Sequence, residues 1–503
     1  MDTMDQSTPA QLQSGQSKAL SQTEIRTIIF GVLLAMFLAA LDQTIIATAL
    51  PTIGRELGDL EHLSWIVTVY LLTSTAVTPL YGKLSDSYGR RTIMLVGIVI
   101  FILGSIACAL APSMFFLILA RGLQGIGGGG LIAMGQTIIA DIVSPRERGR
   151  YQAYFASVFM SSSLLGPVLG GFFAEKMHWS VIFWINLPLG FVAFLLAHRT
   201  LKKLPRHERP HRLDLLGAAL LVSATVVLLL ALSWGGIRYP WGSLPILGLV
   251  AGSLILWGLF ALRMRLAPEP LIPSGVLHNP VVRMGVLAAC FGMGTYIGLT
   301  IYLPVYFETV RGLSASLSGL ALIPLMAGTV VGATLSGQTM ARVKHYKRLP
   351  TAGLMVAISA MGVLFLYGEI LSITAIEVML GIISIGLGTL LPVTMVTTQN
   401  AVAPHQMGTA TGTANFFRSL GGAFIVAIFG AIVLSGSGLT GAASFEAMGE
   451  AALRSGINLA DVFSYVFLAA MVGFGLALAF LLALKELPLR GSAVKAAEAA
   501  VAD

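Results

Sequence analysis

The feature that most constrains this chain is its run of apolar segments: fourteen stretches of about 20 residues or more, each bounded by charges or by Gly/Pro turns. A helix rises about 1.5 Å per residue, so each stretch is long enough to cross a hydrocarbon core about 30 Å thick. In lipid a spanning backbone must satisfy its own N–H and C=O groups, which leaves helices or closed barrels, and runs of this length are helical. The spans read as 27–50, 64–82, 92–111, 114–140, 151–174, 180–198, 213–233, 244–264, 282–307, 316–340, 350–368, 372–398, 408–434 and 462–484. Charged residues are only 11% of the chain, too few to cover a water-facing surface. The expected fold class is therefore an all-α membrane protein, and the even span count puts both termini on one side.

Positive charge selects that side. Lys83/Arg90/Arg91, Arg146/Arg148/Arg150, the run from Arg199 to Arg212, and Arg342/Lys344/Lys347/Arg348 all fall on the side of the N-terminus, whereas the opposite loops hold only Arg55, Lys176, Arg238, Arg311 and Arg454. By the positive-inside rule both termini are expected in the cytoplasm, and the net charge of +8 reads as topology. No basic stripe interleaved with aromatics is present, so nucleic acid is set aside as a partner. Residues 1–26 are polar and lack the apolar core of a secretory signal, so they read as a cytoplasmic tail. Cys108 and Cys290 each sit inside an apolar run, far apart, without metal-ligand spacing.

The chain repeats itself. Gly337 follows Gly82 by 255 positions, each opening a basic inner segment, and Gly408 follows Gly149 by 259, each four residues after a proline. This divides the chain into a tail (1–26), a six-helix bundle (27–198), a linker with two additional spans (199–265), a second six-helix bundle (266–484) and a C-terminal tail (485–503).

Between spans two and three the sequence reads GKLSDSYGRR, Gly82 to Arg91. This resembles the loop signature of the major facilitator superfamily, with Ser87 standing where many members carry a basic residue. LDQTIIATALP (Leu41 to Pro51), RGLQGIGGGG (Arg121 to Gly130) and GPVLGG (Gly166 to Gly171) narrow the resemblance to the drug:proton antiporters with fourteen spans. The resemblance implies two pseudo-symmetric six-helix bundles plus two inserted helices, with Gly82, Lys83, Asp86, Gly89, Arg90 and Arg91 forming a gating loop that latches the halves together. Asp141 is its expected partner, and Gly166, Pro167, Gly170 and Gly171 form the antiporter-type helix. Read physically, Gly82 and Gly89 permit tight turns, Asp86 offers a carboxylate to a neighbouring helix N-terminus, and GIGGGG is a close-packing seam rather than a phosphate loop.

A charge in hydrocarbon costs at least about 2.5–3.5 kcal/mol, so ionisable residues inside spans are functional candidates. Asp42 lies nine residues before Pro51 and Arg121 eight after Ser113, about 13 and 12 Å below the outer ends of their helices. At one depth they form a candidate proton/substrate coupling pair, with Arg121 tuning Asp42. Glu377, about five residues into its span, either couples or snorkels to the outer interface; Glu308, three residues before Arg311, either makes a rim salt bridge or receives cations or protons. Arg418 and Asn415 read as inner-gate residues in span thirteen.

The resemblance implies a proton-coupled antiporter in a bacterial inner membrane, exporting hydrophobic or cationic small molecules by alternating access. An exporter dedicated to an endogenous lipid or siderophore-like compound is the alternative, and a non-transporting sensor or scaffold a more distant one. Nothing asks for a cofactor or a metal, and no phosphate-binding loop for ATP or clustered catalytic residues are present, so the chain reads as a non-enzyme. Protons, membrane lipid and the cargo are the expected partners of a monomer, and a periplasmic adaptor protein is left open.

Overall fold

The computed structural model describes residues 21–59, 62–203, 214–436 and 458–489. Most of the two tails, Arg206, Arg209, Arg212 and Arg454 lie outside these residues. Among the described residues, fourteen helices are long and apolar enough to span a membrane: α1 Gln22–Ile45, α2 Leu63–Tyr88, α3 Arg90–Ala109, α4 Met114–Ile142, α5 Pro145–Lys176, α6 Val181–Thr200, α7 Leu215–Trp234, α8 Leu244–Leu266, α9 Pro280–Thr309, α10 Ser316–Arg342, α11 Arg348–Tyr367, α12 Ile373–Asn400, α13 Pro404–Gly436 and α14 Leu459–Ala483. The described residues contain no β-strand.

Local chemistry moves two boundaries from their expected places. Helix α1 begins before residue 27 because Ser21 and Glu24 form a reciprocal capping box, each side chain accepting from the other's backbone N–H at 3.2 and 2.8 Å. The expected loop from Gly82 to Arg91 is largely helix, because nothing breaks α2 until Gly89, whose φ of +88° ends it and lets α3 start at Arg90. Gly82 is therefore helical and makes no turn. Its missing side chain serves close approach instead.

Small residues set the packing. A Cβ on Gly125 or Gly129 of α4 would overlap the backbone of α2 at Tyr70 or Ser74, and one on Gly127 would overlap α3 at Phe101. The GIGGGG segment is thus a packing seam, as small residues in membrane helices allow. Each half keeps its own core: Met36, Phe101, Leu131 and Met134 in the first, Tyr306, Phe429, Phe463 and Phe467 in the second.

The repeat glycines meet crosswise. A Cβ on Gly82 (α2) would overlap the Gly408 carbonyl (α13), and one on Gly337 (α10) would overlap the Gly149 carbonyl (α5). Each glycine of a repeat pair touches the other pair's counterpart in the opposite half, the pattern that a two-fold relation between the halves produces. These two contacts close the basic face, called inner below. Helices α7 and α8 pack outside this arrangement, over α2 and α13, with Trp234 edge-on to Trp65 at 5.7 Å and Trp257 beside Phe416 at 6.1 Å. Asp214 at the start of α7 accepts from Arg263 Nε of α8 at 2.9 Å and tethers the pair.

Candidate functional site

Four helices of the first half converge on Asp42, which is 1% exposed. Its Oδ2 accepts from Arg121 Nη1 at 2.6 Å, and its Oδ1 accepts from Gln124 Nε2 at 2.8 Å and Asn186 Nδ2 at 2.9 Å. Arg121 Nη1 also donates to Gln124 Oε1 at 2.6 Å, its Nε donates to the Ile66 carbonyl at 3.2 Å, and its guanidinium lies 4.2 Å over the Tyr70 ring. Ser105 Oγ of α3 accepts from Gln124 and Asn186 at 2.6 and 3.1 Å. The carboxylate thus has three donors and the guanidinium an anion, a carbonyl and a ring face, so the charges are tolerated in a site with almost no water access.

Sequence reasoning placed Asp42 and Arg121 at one depth but missed Gln124, Asn186, Ser105 and Tyr70. Gln124 carried a signal, since at i+3 from Arg121 it must share that face of α4. Asn186 and Ser105 are neutral, and among many small polar residues in spans nothing marked them.

The GPVLGG segment packs on α1 beside this site. Thr44, two residues after Asp42, donates from Oγ1 to the Ser162 carbonyl at 2.7 Å, and Thr48 donates to the Pro167 carbonyl at 3.3 Å. A Cβ on Gly166 would overlap Thr44 and one on Gly170 the Ile45 carbonyl, whereas one on Gly171 would meet nothing within 4 Å. Helix α5 and the Asp42 helix can therefore slide or rock only as neighbours in close contact.

At the inner face, Asp86 crosses between the halves. Its carboxylate accepts from the backbone N–H of Gly408 at 2.9 Å and of Thr409 at 2.7 Å, and from Thr409 Oγ1 at 2.7 Å. These groups belong to the first turn of the helical run Met407–Gly436, whose unpaired N–H groups and dipole favour an anion. Arg90 holds the carboxylate in place, donating from Nη1 to Asp86 at 2.5 Å and from Nε to Asp141 at 2.7 Å. Arg91 donates to the His198 carbonyl at 3.2 Å, and Lys83 is buried. The position 255 residues after Asp86 is Ala341, so the crosswise contact at Gly149 and Gly337 has no such carboxylate.

Glu308 and Glu377 do not join the Asp42 cluster. Glu308 is exposed and Glu377 half-buried, both near outer helix ends. The rim salt bridge expected between Glu308 and Arg311 is not formed: Arg311 donates to the carbonyls of Glu369 and Leu371, which follow the C-terminus of α11 and attract a cation. Asn415 links the halves as an inner-gate residue would, donating to Gln136 Oε1 of α4 at 2.7 Å. Arg418 lies fourteen residues into α13, about 21 Å from its inner end, which is mid-depth rather than the inner part.

The chain's similarities to known proteins agree with this architecture. The family model for the Major Facilitator Superfamily matches residues 32–426. The multidrug transporter protein MdtP of Bacillus subtilis is 34% identical over 422 residues, covering 84% of this chain and 78% of the relative. Multidrug resistance protein fnx1 of Schizosaccharomyces pombe is 33% identical over 404 residues, covering 78% and 76%. Among solved structures, the proton:xylose symporter XylE superposes with a TM-score of 0.62 at 15% identity, over 93% of this chain and 98% of that one. The human organic anion transporter MFSD10 gives 0.61 at 18%, over 90% and 99%. The fourteen-helix chain with a latched inner face belongs to the major facilitator superfamily, a family of membrane transporters and not of enzymes.

Proposed function

We propose that this transporter exports hydrophobic small molecules in exchange for protons, with Asp42 as the residue that binds and releases the proton. The observation that carries the reading is the closed network around Asp42. A carboxylate held by Arg121, Gln124 and Asn186 with 1% exposure can change its charge only when a helix around it shifts, which couples protonation to conformation. Helix α5, tied to α1 by Thr44 and Thr48, is the element placed to transmit that shift. Release of Asp86 from α13 then opens the inner seam, so that the cavity alternates between faces.

Export as the direction and drugs as the cargo are supported by relatives named as multidrug transporters. Preference for cationic cargo rests on the resemblance alone. The cytoplasmic placement of the termini rests on the distribution of Lys and Arg. A bacterial inner membrane is the proposed location, although relatives occur in both Bacillus and fission yeast.

The test is dye efflux in everted membrane vesicles with an imposed pH gradient. The reading expects uptake into the vesicles that stops when the gradient is collapsed, and that is absent with Asp42→Asn although the variant inserts in equal amount. Uptake by Asp42→Asn equal to the parent would move the coupling site elsewhere, with Glu308 and then Glu377 the acids to examine.

A further inference from the structure

Arg418 is the one described charge at mid-depth between the halves that the coupling and latch networks leave unused. Around α13 it shares a face with Thr411, Ala414, Asn415, Gly422 and Ile425, at i−7, i−4, i−3, i+4 and i+7, all of which are buried. That face looks inward. Thr411 accepts from Gln399 of α12 at 3.1 Å, Asn415 reaches Gln136 of α4, and a Cβ on Gly422 would come within 2.9 Å of Ile297 on α9. Lipid meets another face, marked by Phe424 and Ile428 at 41% and 46% exposure.

Arg418 is nonetheless partly exposed, and its nitrogens are not among the sealed polar atoms. In a stripe of buried neighbours, that exposure means the guanidinium reaches an internal space. One turn below, the Asn415–Gln136 hydrogen bond closes the inner end of that space, and Asn415 Oδ1 there has no partner. Arg418 itself makes no ion pair and no hydrogen bond among the described residues. No described carboxylate stands at its depth on the helices around it: those of α4, α9, α12 and α2 are Asp141, Glu308, Glu377 and Asp86, all at helix ends, and Asp42 is taken up by Arg121.

We propose that Arg418 is a cargo-binding residue that pairs with an anionic group, so that the preferred cargo is a hydrophobic acid or zwitterion with a carboxylate or similar oxyanion. A guanidinium that faces the space between the halves and lacks a counter-ion among the described residues favours an oxyanion that can accept two of its N–H groups, and it repels a cation brought to the same depth. Apolar neighbours on the same face, Ala414 and Ile425, suit the hydrocarbon of such a molecule. The inference deepens the export reading above and rests on it for the direction of movement.

Binding and export are separable in the test. Purified full-length protein in a neutral detergent, without any gradient, is titrated with three probes on one scaffold: 1-pyrenebutyrate, its methyl ester, and a pyrenylbutyl-trimethylammonium. The parent is expected to bind the acid about tenfold or more tighter than the ester or the cation. Arg418→Gln is expected to lose that preference while still binding the ester like the parent, and Arg418→Lys to keep part of it. If the parent binds the three probes within about twofold of one another, or Arg418→Gln retains the acid preference, the proposal is overturned. Should Arg418→Gln not fold, the parent and Arg418→Lys decide it, since equal binding of acid and ester by the parent is enough to reject it. Acid-selective binding by the parent with no gradient-driven movement of 1-pyrenebutyrate in vesicles would instead sink the export reading and leave the binding site standing.

Discussion

At the residue scale, the Asp42–Arg121 pair shows what a buried charge requires. Both side chains are 1% exposed and 2.6 Å apart, so removing one leaves the other without a counter-charge in a dry site, a loss of about 3–5 kcal/mol for buried pairs. Arg121→Ala is therefore expected to lower the thermal unfolding temperature of the purified protein well below that of Arg121→Lys. Lys keeps the charge but forfeits the planar stack on Tyr70 and the bond to the Ile66 carbonyl, so it should melt between Ala and the parent. Equal melting of Ala and Lys would mean that the charge itself contributes nothing. The pair was legible in the sequence because an acid and a base in apolar runs are rare and their depths follow from helix rise. Of its neutral partners only Gln124 was marked, by its place one turn from Arg121; Asn186 and Ser105 are unremarkable until the fold brings their helices to one point.

At the scale of elements, the latch is a single carboxylate joining two helices that the chain separates by more than 300 positions. Asp86→Ala removes three hydrogen bonds to the N-terminus of α13 and leaves the cargo space untouched. If the loop governs interconversion of states, as proposed, transport is expected to fall about tenfold or more while binding of a dye to purified protein stays within about twofold. A matching loss in binding would assign Asp86 to the cargo site instead. Gly408→Val should be more severe, since any side chain there meets Gly82, Asp86 and Arg90 and holds the inner seam open. Cysteine labelling at the inner ends of α2 and α13 should then rise relative to the parent. The motif that carries the latch was plain in the sequence, and so were the repeat glycines. That Gly82 lies within α2 was not, because helical continuity through GKLSDSY is decided by the absence of a breaker before Gly89 and by the seam that the glycine lines. Nor did spacing reveal that the glycines of the two repeats pair crosswise, a relation that exists only once the halves face each other.

For the whole molecule, hydropathy sufficed for fourteen helices among the described residues, since lipid leaves the backbone almost no alternative, and the distribution of Lys and Arg carries the proposal of which side faces in. Reporter fusions after Ser113 are expected to read as periplasmic and fusions after Arg91 as cytoplasmic. The opposite pattern would invert the molecule and make the latched face the outer one. Where the inserted pair α7 and α8 sits was not legible, because their lipid-like sequence carries little beyond the Trp and Phe residues that meet α2 and α13. The central claim joins these scales: a proton on Asp42 and cargo in the cavity exclude each other through movement of the helices around α1. The most direct measurement is substrate-induced proton release from the purified protein in weakly buffered solution, parent against Asp42→Asn. The account predicts that the parent releases protons when dye is added, and that Asp42→Asn, whose uncharged side chain stands for the protonated form, releases none even at dye concentrations that saturate it. Release by Asp42→Asn equal to that of the parent would contradict it.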